Sequence, residues 1–198
     1  MLMGSRVMHY CISTLLAREL GIDDDQFLLG GIAPDVHKYM NAPKKDSHFI
    51  ILQTDSEFAC DYRGFCQKYE HHMKDPFFLG YFYHLISDDI WVKEIYYKKI
   101  KWLPQPEKKE AQGKYYRDFW RLNGKLIDHY ALTLKPLDAE AVRIDEIDYT
   151  YLPELIRDLQ SDFAMKDEAK EQALEILDFD EVIEVLESSV KACLGETK

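Results

Sequence analysis

Apolar positions recur along this chain at intervals of three and four residues and seldom alternate, which predicts helices over most of its length. Val7, Cys11, Leu15 and Leu16 share one face of a first helix of about 14 residues, which Gly21 is placed to close. A short second helix is expected over residues 25–31; it stops ahead of Pro34, whose ring disfavours helical geometry at Ala33. Residues 33–54, punctuated by Pro34, Asn41, Pro43 and Asp46, sustain no period and predict a long loop. A third helix follows over residues 56–73. Asp75 then supplies an N-cap and Pro76 a first-turn proline for a fourth, which runs to Trp102. Its apolar residues (Phe78, Leu79, Phe82, Leu85, Ile86 and Ile90) cover most of its sides, so it belongs at the centre of the molecule.

Pro104, Pro106 and the charge run at residues 107–110 predict a solvated connection to a fifth helix over residues 114–134, and residues 138–151 carry no clear period. Pro153 suits the start of a sixth helix reaching Phe163. Residues 166–194 predict two more, the last entered through Asp178 and Glu181 in the manner of a capping box and followed by Gly195. The pattern therefore specifies an all-α, single-domain multi-helix bundle over residues 1–198, a length that fits one domain.

Composition narrows the class. With 46% hydrophobic and 31% charged residues the chain can bury a core, which excludes a disordered or fibrous protein. No apolar run approaches the roughly 20 residues needed to cross a bilayer. Arg6, His9, Arg18 and Glu19 break up the opening segment, so no secretion signal is read and a cytoplasmic location is expected. Cys11, Cys60, Cys66 and Cys193 lack metal or redox spacing and are expected to be free thiols. The net charge of −11 is lopsided: residues 137–198, an acidic helical extension, carry 18 acids against 6 bases, leaving 18 acids and 19 bases for the remainder. A broad basic surface for nucleic acid is therefore not expected, and the acidic segment is read as a solvated helical face.

Six of the seven histidines (His9, His37, His48, His71, His72 and His84) fall in the first 84 residues. His84 and Asp88 stand four apart on the apolar fourth helix, one turn from each other and able to reach a common ion. A buried imidazole and carboxylate need partners, and a metal would supply one. Taken alone the pair is better explained by a hydrogen bond across a turn, or by Asp88 and Asp89 on a solvated edge. Three further features add to it: His9 in the first helix, Asp35 after Gly-Gly-Ile-Ala-Pro, and His48 in Ser-His-Phe. Three histidines and two aspartates offer ligands for two ions.

This order, a histidine in the first helix, then G-x-x-P-D, then a loop histidine, then H-x-x-x-D on a later central helix, resembles the zinc-dependent phospholipase C superfamily, whose relatives include single-strand-specific nucleases. The likeness covers about residues 4–90. It implies an all-helical fold, a metal site between the first helix and the long central helix, and hydrolysis of phosphate esters. His9, Asp35, His48, His84 and Asp88 are the implied ligands, with Asp88 the bridge between ions. Residues 1–3 (Met1, Leu2 and Met3) offer no counterpart to the amino-terminal tryptophan ligand of secreted members, and no histidine lies between Asp88 and His129 to match the family's later pair. One or two ions, zinc above all and otherwise manganese or iron, are therefore expected. Their chemistry would be in-line attack on phosphorus by an activated water, with Asp35 or Asp89 orienting that water.

Of the remaining candidates, Arg6, Lys44 and Lys45 are expected to be solvent-exposed, His37 a plain loop residue, and His71 and His72 the cap of the third helix. His129, Asp118 and Asn123 are open between helix packing and contacts to the site. The run Phe77, Phe78, Tyr81, Phe82 and Tyr83 is read as core. Two other readings stay open. One is an HD-type nucleotide phosphohydrolase, although no adjacent His-Asp pair occurs; the other is a helical scaffold that holds metal without turnover.

Overall fold

Helix α1 (Arg6–Leu20) begins where Ser5 accepts the Met8 amide on its hydroxyl, while the Met8 sulfur takes the Ser5 N–H in return. It ends at Gly21, whose φ of 66° is the left-handed conformation glycine favours. A computed structural model describes residues 4–196; residues 1–3, where the tryptophan counterpart was sought, lie outside the described residues. The fold is all-α apart from one two-stranded hairpin.

Helix α2 (Asp25–Gly30) leads into a 3-10 turn over Ala33–Lys38. α3 (Lys44–Ser47) is a single turn, and β1 (Ile50–Leu52) pairs antiparallel with β2 (Phe58–Cys60). The expected loop is thus largely structured, and the helix expected over residues 56–73 is replaced by β2, α4 (Tyr62–Lys68) and a 3-10 turn at Glu70–His72. Tertiary partners decide this. The Tyr97 hydroxyl holds both the N–H and the C=O of Phe58, at 2.6 and 2.7 Å, and Asp89 accepts the Cys60 N–H at 3.2 Å. Asp61 then caps α4 by accepting the Gly64 N–H.

Helix α5 (Pro76–Trp91), capped by Asp75, runs on as a π-helix over Val92–Lys101, so the long central helix extends as expected. It is buried on nearly every side and packs on α2 at backbone contact: a Cβ on Gly30 would stand 2.0 Å from the Phe77 carbonyl oxygen, and one on Gly80 2.2 Å from that of Phe27. α6 (Glu107–His129) takes in the charge run expected as linker, because Glu107 and Glu110 suit the positive end of a helix, and it stops short of residue 134.

Residues 131–148 run without regular structure, yet Leu137, Ile144 and Ile147 are buried. α7 (Leu152–Ala164), α8 (Lys166–Lys170) and α9 (Phe179–Glu196) close the chain, with Gly195 inside α9 rather than beyond it. Asp118 ties the α8–α9 connection to α6, accepting the N–H groups of Glu175, Ile176 and Leu177 at 2.8 to 3.0 Å. One contiguous cluster of buried side chains, the aromatic run of α5 included, links the helices into a common core. None of the four cysteines is in a disulfide, and no helix among the described residues is long and apolar enough to cross a membrane.

Candidate metal centre

Five side chains distant in sequence meet between α1 and α5. His9 projects from the first turns of α1, Asp35 from the 3-10 turn after Pro34, His48 from the residue after α3, and His84 and Asp88 from adjacent turns of α5. All five are buried, His48 and Asp88 completely. Asp88 is the hub: its Oδ1 lies 3.1 Å from His9 Nε2, and its Oδ2 lies 3.4 Å from His84 Nε2 and 3.5 Å from His48 Nε2. Asp35 Oδ1 is 3.5 Å from His48 Nε2, and the Nε2 atoms of His48 and His84 are 3.3 Å apart. The rings of His9 and His84 stack with centroids 3.7 Å apart.

Which ring nitrogen carries the proton follows from the partners outside the cluster. His84 Nδ1 meets the Gly31 carbonyl at 2.9 Å, and a carbonyl only accepts, so this nitrogen donates. Ser87 spends its hydroxyl proton on the His84 carbonyl at 2.8 Å and so accepts from His9 Nδ1 at 3.2 Å. Ser47 Oγ lies 2.8 Å from His48 Nδ1 and 3.4 Å from the Lys44 carbonyl, and where it spends its proton on that carbonyl it accepts from the ring. In each neutral ring the Nε2 lone pair then faces a carboxylate. Lone pairs directed at one another across 3.1 to 3.5 Å repel, and a cation among them turns that repulsion into coordination. Both Asp88 oxygens are buried and, among the described residues, take no hydrogen bond. An orphaned carboxylate at the focus of imidazole lone pairs fits a divalent metal.

Protonation agrees. Burial lowers His9, and burial together with the nearby Lys44 ammonium pushes His48 down to about 3, so both rings are neutral ligands at ordinary pH. Burial works to raise Asp35 and Asp88, but the Lys44 ammonium, 4.0 Å from both, draws them the other way and favours the ionised carboxylates.

Three sets of ligand atoms lie within 4.8 Å of one another: His9, Asp35 and His84; Asp35, His37 and His48; and His48, His84 and Asp88. Shared members join them into one cluster. His37, expected as a plain loop residue, is thereby a fourth histidine of the cluster. Its Nδ1 donates to the Pro34 carbonyl at 3.0 Å, the same polarity as in His84. Lys44, expected at the surface, instead buries its ammonium 4.0 Å from both Asp35 Oδ1 and Asp88 Oδ2. Gly4, at φ 117°, lies against the ligating edge of His9, where a Cβ would stand 2.5 Å from Nε2. A cleft of about 260 Å³ opens beside the cluster, lined by Asp35 and His37 together with Gly4, Lys38, Trp120 and Asn123.

Other expected residues stand elsewhere. Asp89, expected to orient water, accepts the Cys60 N–H and a 2.6 Å contact from Lys93, because its place next to Asp88 on α5 turns it toward the hairpin. Arg6 pairs with Asp162 at 2.9 Å, and Lys45 is exposed. His71 and His72 are exposed in the 3-10 turn, and His129 meets the rings of Tyr130 and Phe179 edge to face. Asp118 serves the α8–α9 connection, whereas Asn123 accepts the Ser5 hydroxyl at 2.7 Å and fixes the start of α1. Serines next to, or three residues after, ligating histidines were the available sequence signal for Ser47 and Ser87; Lys44, His37 and the Gly31 carbonyl left none.

No protein-family model, curated protein or solved structure matches the chain.

Proposed function

We propose that the protein is a metal-dependent phosphoesterase, a hydrolase of the kind the zinc-dependent phospholipase C resemblance implies. The observation that carries this reading is Asp88, an orphaned buried carboxylate ringed by three imidazole Nε2 atoms whose other nitrogens are already engaged. His9, Asp35, His48, His84 and Asp88 would hold the metal, with His37 at the cleft side. Imidazole nitrogen with carboxylate oxygen suits zinc, and manganese or iron accept the same donors. When bound, paired divalent ions supply Lewis acidity to a phosphoryl oxygen and an activated water.

The chain's own residues do the remainder. Gly31, Ser47 and Ser87 fix the three imidazoles by their Nδ1 protons, so the ligand edges stay aligned without reorganisation. Asp35 is the ligand that also faces the cleft, so it meets an incoming substrate. Being held ionised, it is suited to accept a hydrogen bond from the attacking water and orient it.

The test is metal analysis of the purified protein by mass spectrometry, joined to hydrolysis of bis-p-nitrophenyl and p-nitrophenyl phosphates, for the wild type, His84→Ala and Asp88→Ala. Bound zinc and turnover in the wild type, both lost in the two folded variants, are the expected result. Tight metal without turnover on either ester would overturn the hydrolase and leave a metal-holding scaffold.

A further inference from the structure

Lys44 is the one member of the cluster that no ligand role explains. Its side chain is 12% exposed, and its Nζ is fully buried and, among the described residues, accepted by nothing within hydrogen-bond range. It stands 4.0 Å from Asp35 Oδ1 and 4.0 Å from Asp88 Oδ2, the same two carboxylate oxygens that His48 Nε2 faces at 3.5 Å. A buried ammonium without hydrogen bonds is costly unless something else is meant to meet it. The charges say what. Asp35, Asp88 and Lys44 leave the pocket one negative charge; one divalent ion turns that positive, and a second leaves an excess that calls for an anion.

We propose that Lys44 is the anion-binding arm of this centre: its ammonium balances Asp35 and Asp88 before metal enters and then takes a phosphoryl oxygen beside the bound ions. The inference rests on the metal reading above. The side chain fits both duties. Its stem enters from α3, next to His48 and alongside Asp35, and Asp35 and His37 line the cleft through which an anion would come. A lysine, as a compact charge on a flexible stem, can exchange a carboxylate for a phosphate oxygen with a small movement of its tip. Metal and phosphate binding are then coupled through one residue: the ammonium opposes the metal alone and favours the metal with phosphate.

The experiment compares wild type with Lys44→Met, which keeps the length and removes the charge, Lys44→Gln as a second neutral variant, and Lys44→Arg, which keeps the charge. Zinc affinity is measured in phosphate-free buffer by competition with a chromophoric chelator. Inorganic phosphate affinity for the zinc-loaded proteins is measured by calorimetry. Folded neutral variants should bind zinc about tenfold more tightly than wild type or better, and phosphate about tenfold more weakly, the scale of one charge at this range. Lys44→Arg should stay close to wild type in phosphate affinity. Unchanged or weaker zinc binding in both neutral variants, or phosphate affinity equal to that of wild type, overturns this role while leaving the metal centre intact. A wild type that takes up no zinc, manganese or iron overturns the metal centre itself, and Lys44's role with it.

Discussion

His84 gives its Nδ1 proton to the Gly31 carbonyl at 2.9 Å, and that bond turns its Nε2 edge onto Asp88. The carbonyl can stand there because α2 and α5 touch backbone to backbone through Gly30 and Gly80. Gly80→Ala places a methyl 2.2 Å from the Phe27 carbonyl oxygen, and neither backbone can yield without parting the two helices. The expected outcome is a loss of about 1–3 kcal/mol in urea unfolding, the usual cost of overpacking a tight contact. Zinc affinity should fall with it, since the carbonyl that orients His84 moves away. Zinc affinity equal to that of wild type in a folded Gly80→Ala protein would show that α2 does not position the site.

Asp118 makes a contrasting case. It is fully buried, and its oxygens accept three consecutive backbone N–H groups and contact Arg121 at 3.1 Å. Asp118→Ala leaves those three amides without an acceptor, while Arg121 keeps Glu175 at 2.8 Å, and each stranded buried donor costs about 1–3 kcal/mol. The loss should appear as a lower urea midpoint, whereas zinc affinity of the folded variant should match that of wild type, because Asp118 contributes no atom to the cluster.

The first half of the site was legible because its signals are local. His84 and Asp88 lie one helical turn apart, and the Asp75–Pro76 start fixes which helix carries them. His9 falls on the first helix, which the spacing of Val7, Cys11, Leu15 and Leu16 marks. What could not be read depends on distant partners. Residues 56–73 pass as a helix by period alone, and only the Tyr97 hydroxyl, reaching in from the π-helix, marks Phe58 as a strand residue. Lys44 and His37 sit in a stretch without period, where direction is set by the turns at Pro34 and Pro43 rather than by spacing. Asp89 shows the converse hazard: one residue along a helix is about 100° around it, so the neighbour of a ligand points to another part of the molecule.

Acid should destabilise the metal-free protein. The ordinary histidine value is 6.5, and in the fold His48 sits at about 3 while His9 and His37 are lowered, burial being the first cause in each. The unfolded chain therefore binds protons that the folded chain refuses, and stability is lost as pH falls from about 6.5, through His48 at about 1.4 kcal/mol per pH unit toward 3. Asp35 and Asp88, lowered in the fold, act in the same direction at the acid end of that window. Thermal melts of chelator-treated protein at about pH 7, 6 and 5 should give a falling Tm, and a Tm that stays level would contradict neutral, buried imidazoles.

Ser87 tests whether orienting partners, and not the ligands alone, set the strength of the centre. Its hydroxyl gives its proton to the His84 carbonyl and can therefore only accept from His9 Nδ1, which fixes the His9 lone pair toward Asp88 Oδ1 at 3.1 Å. Ser87→Ala removes the acceptor, leaves His9 free to take the other tautomer, and so lets a proton stand where a ligand lone pair is needed. Loss of such an outer partner typically weakens metal binding about 10- to 100-fold, and chelator competition should find zinc affinity reduced on that scale, with helicity by circular dichroism unchanged. Undiminished affinity in Ser87→Ala would mean that His9 is held by Asp88 alone, and that the hydroxyl is only a cap on the α5 carbonyl.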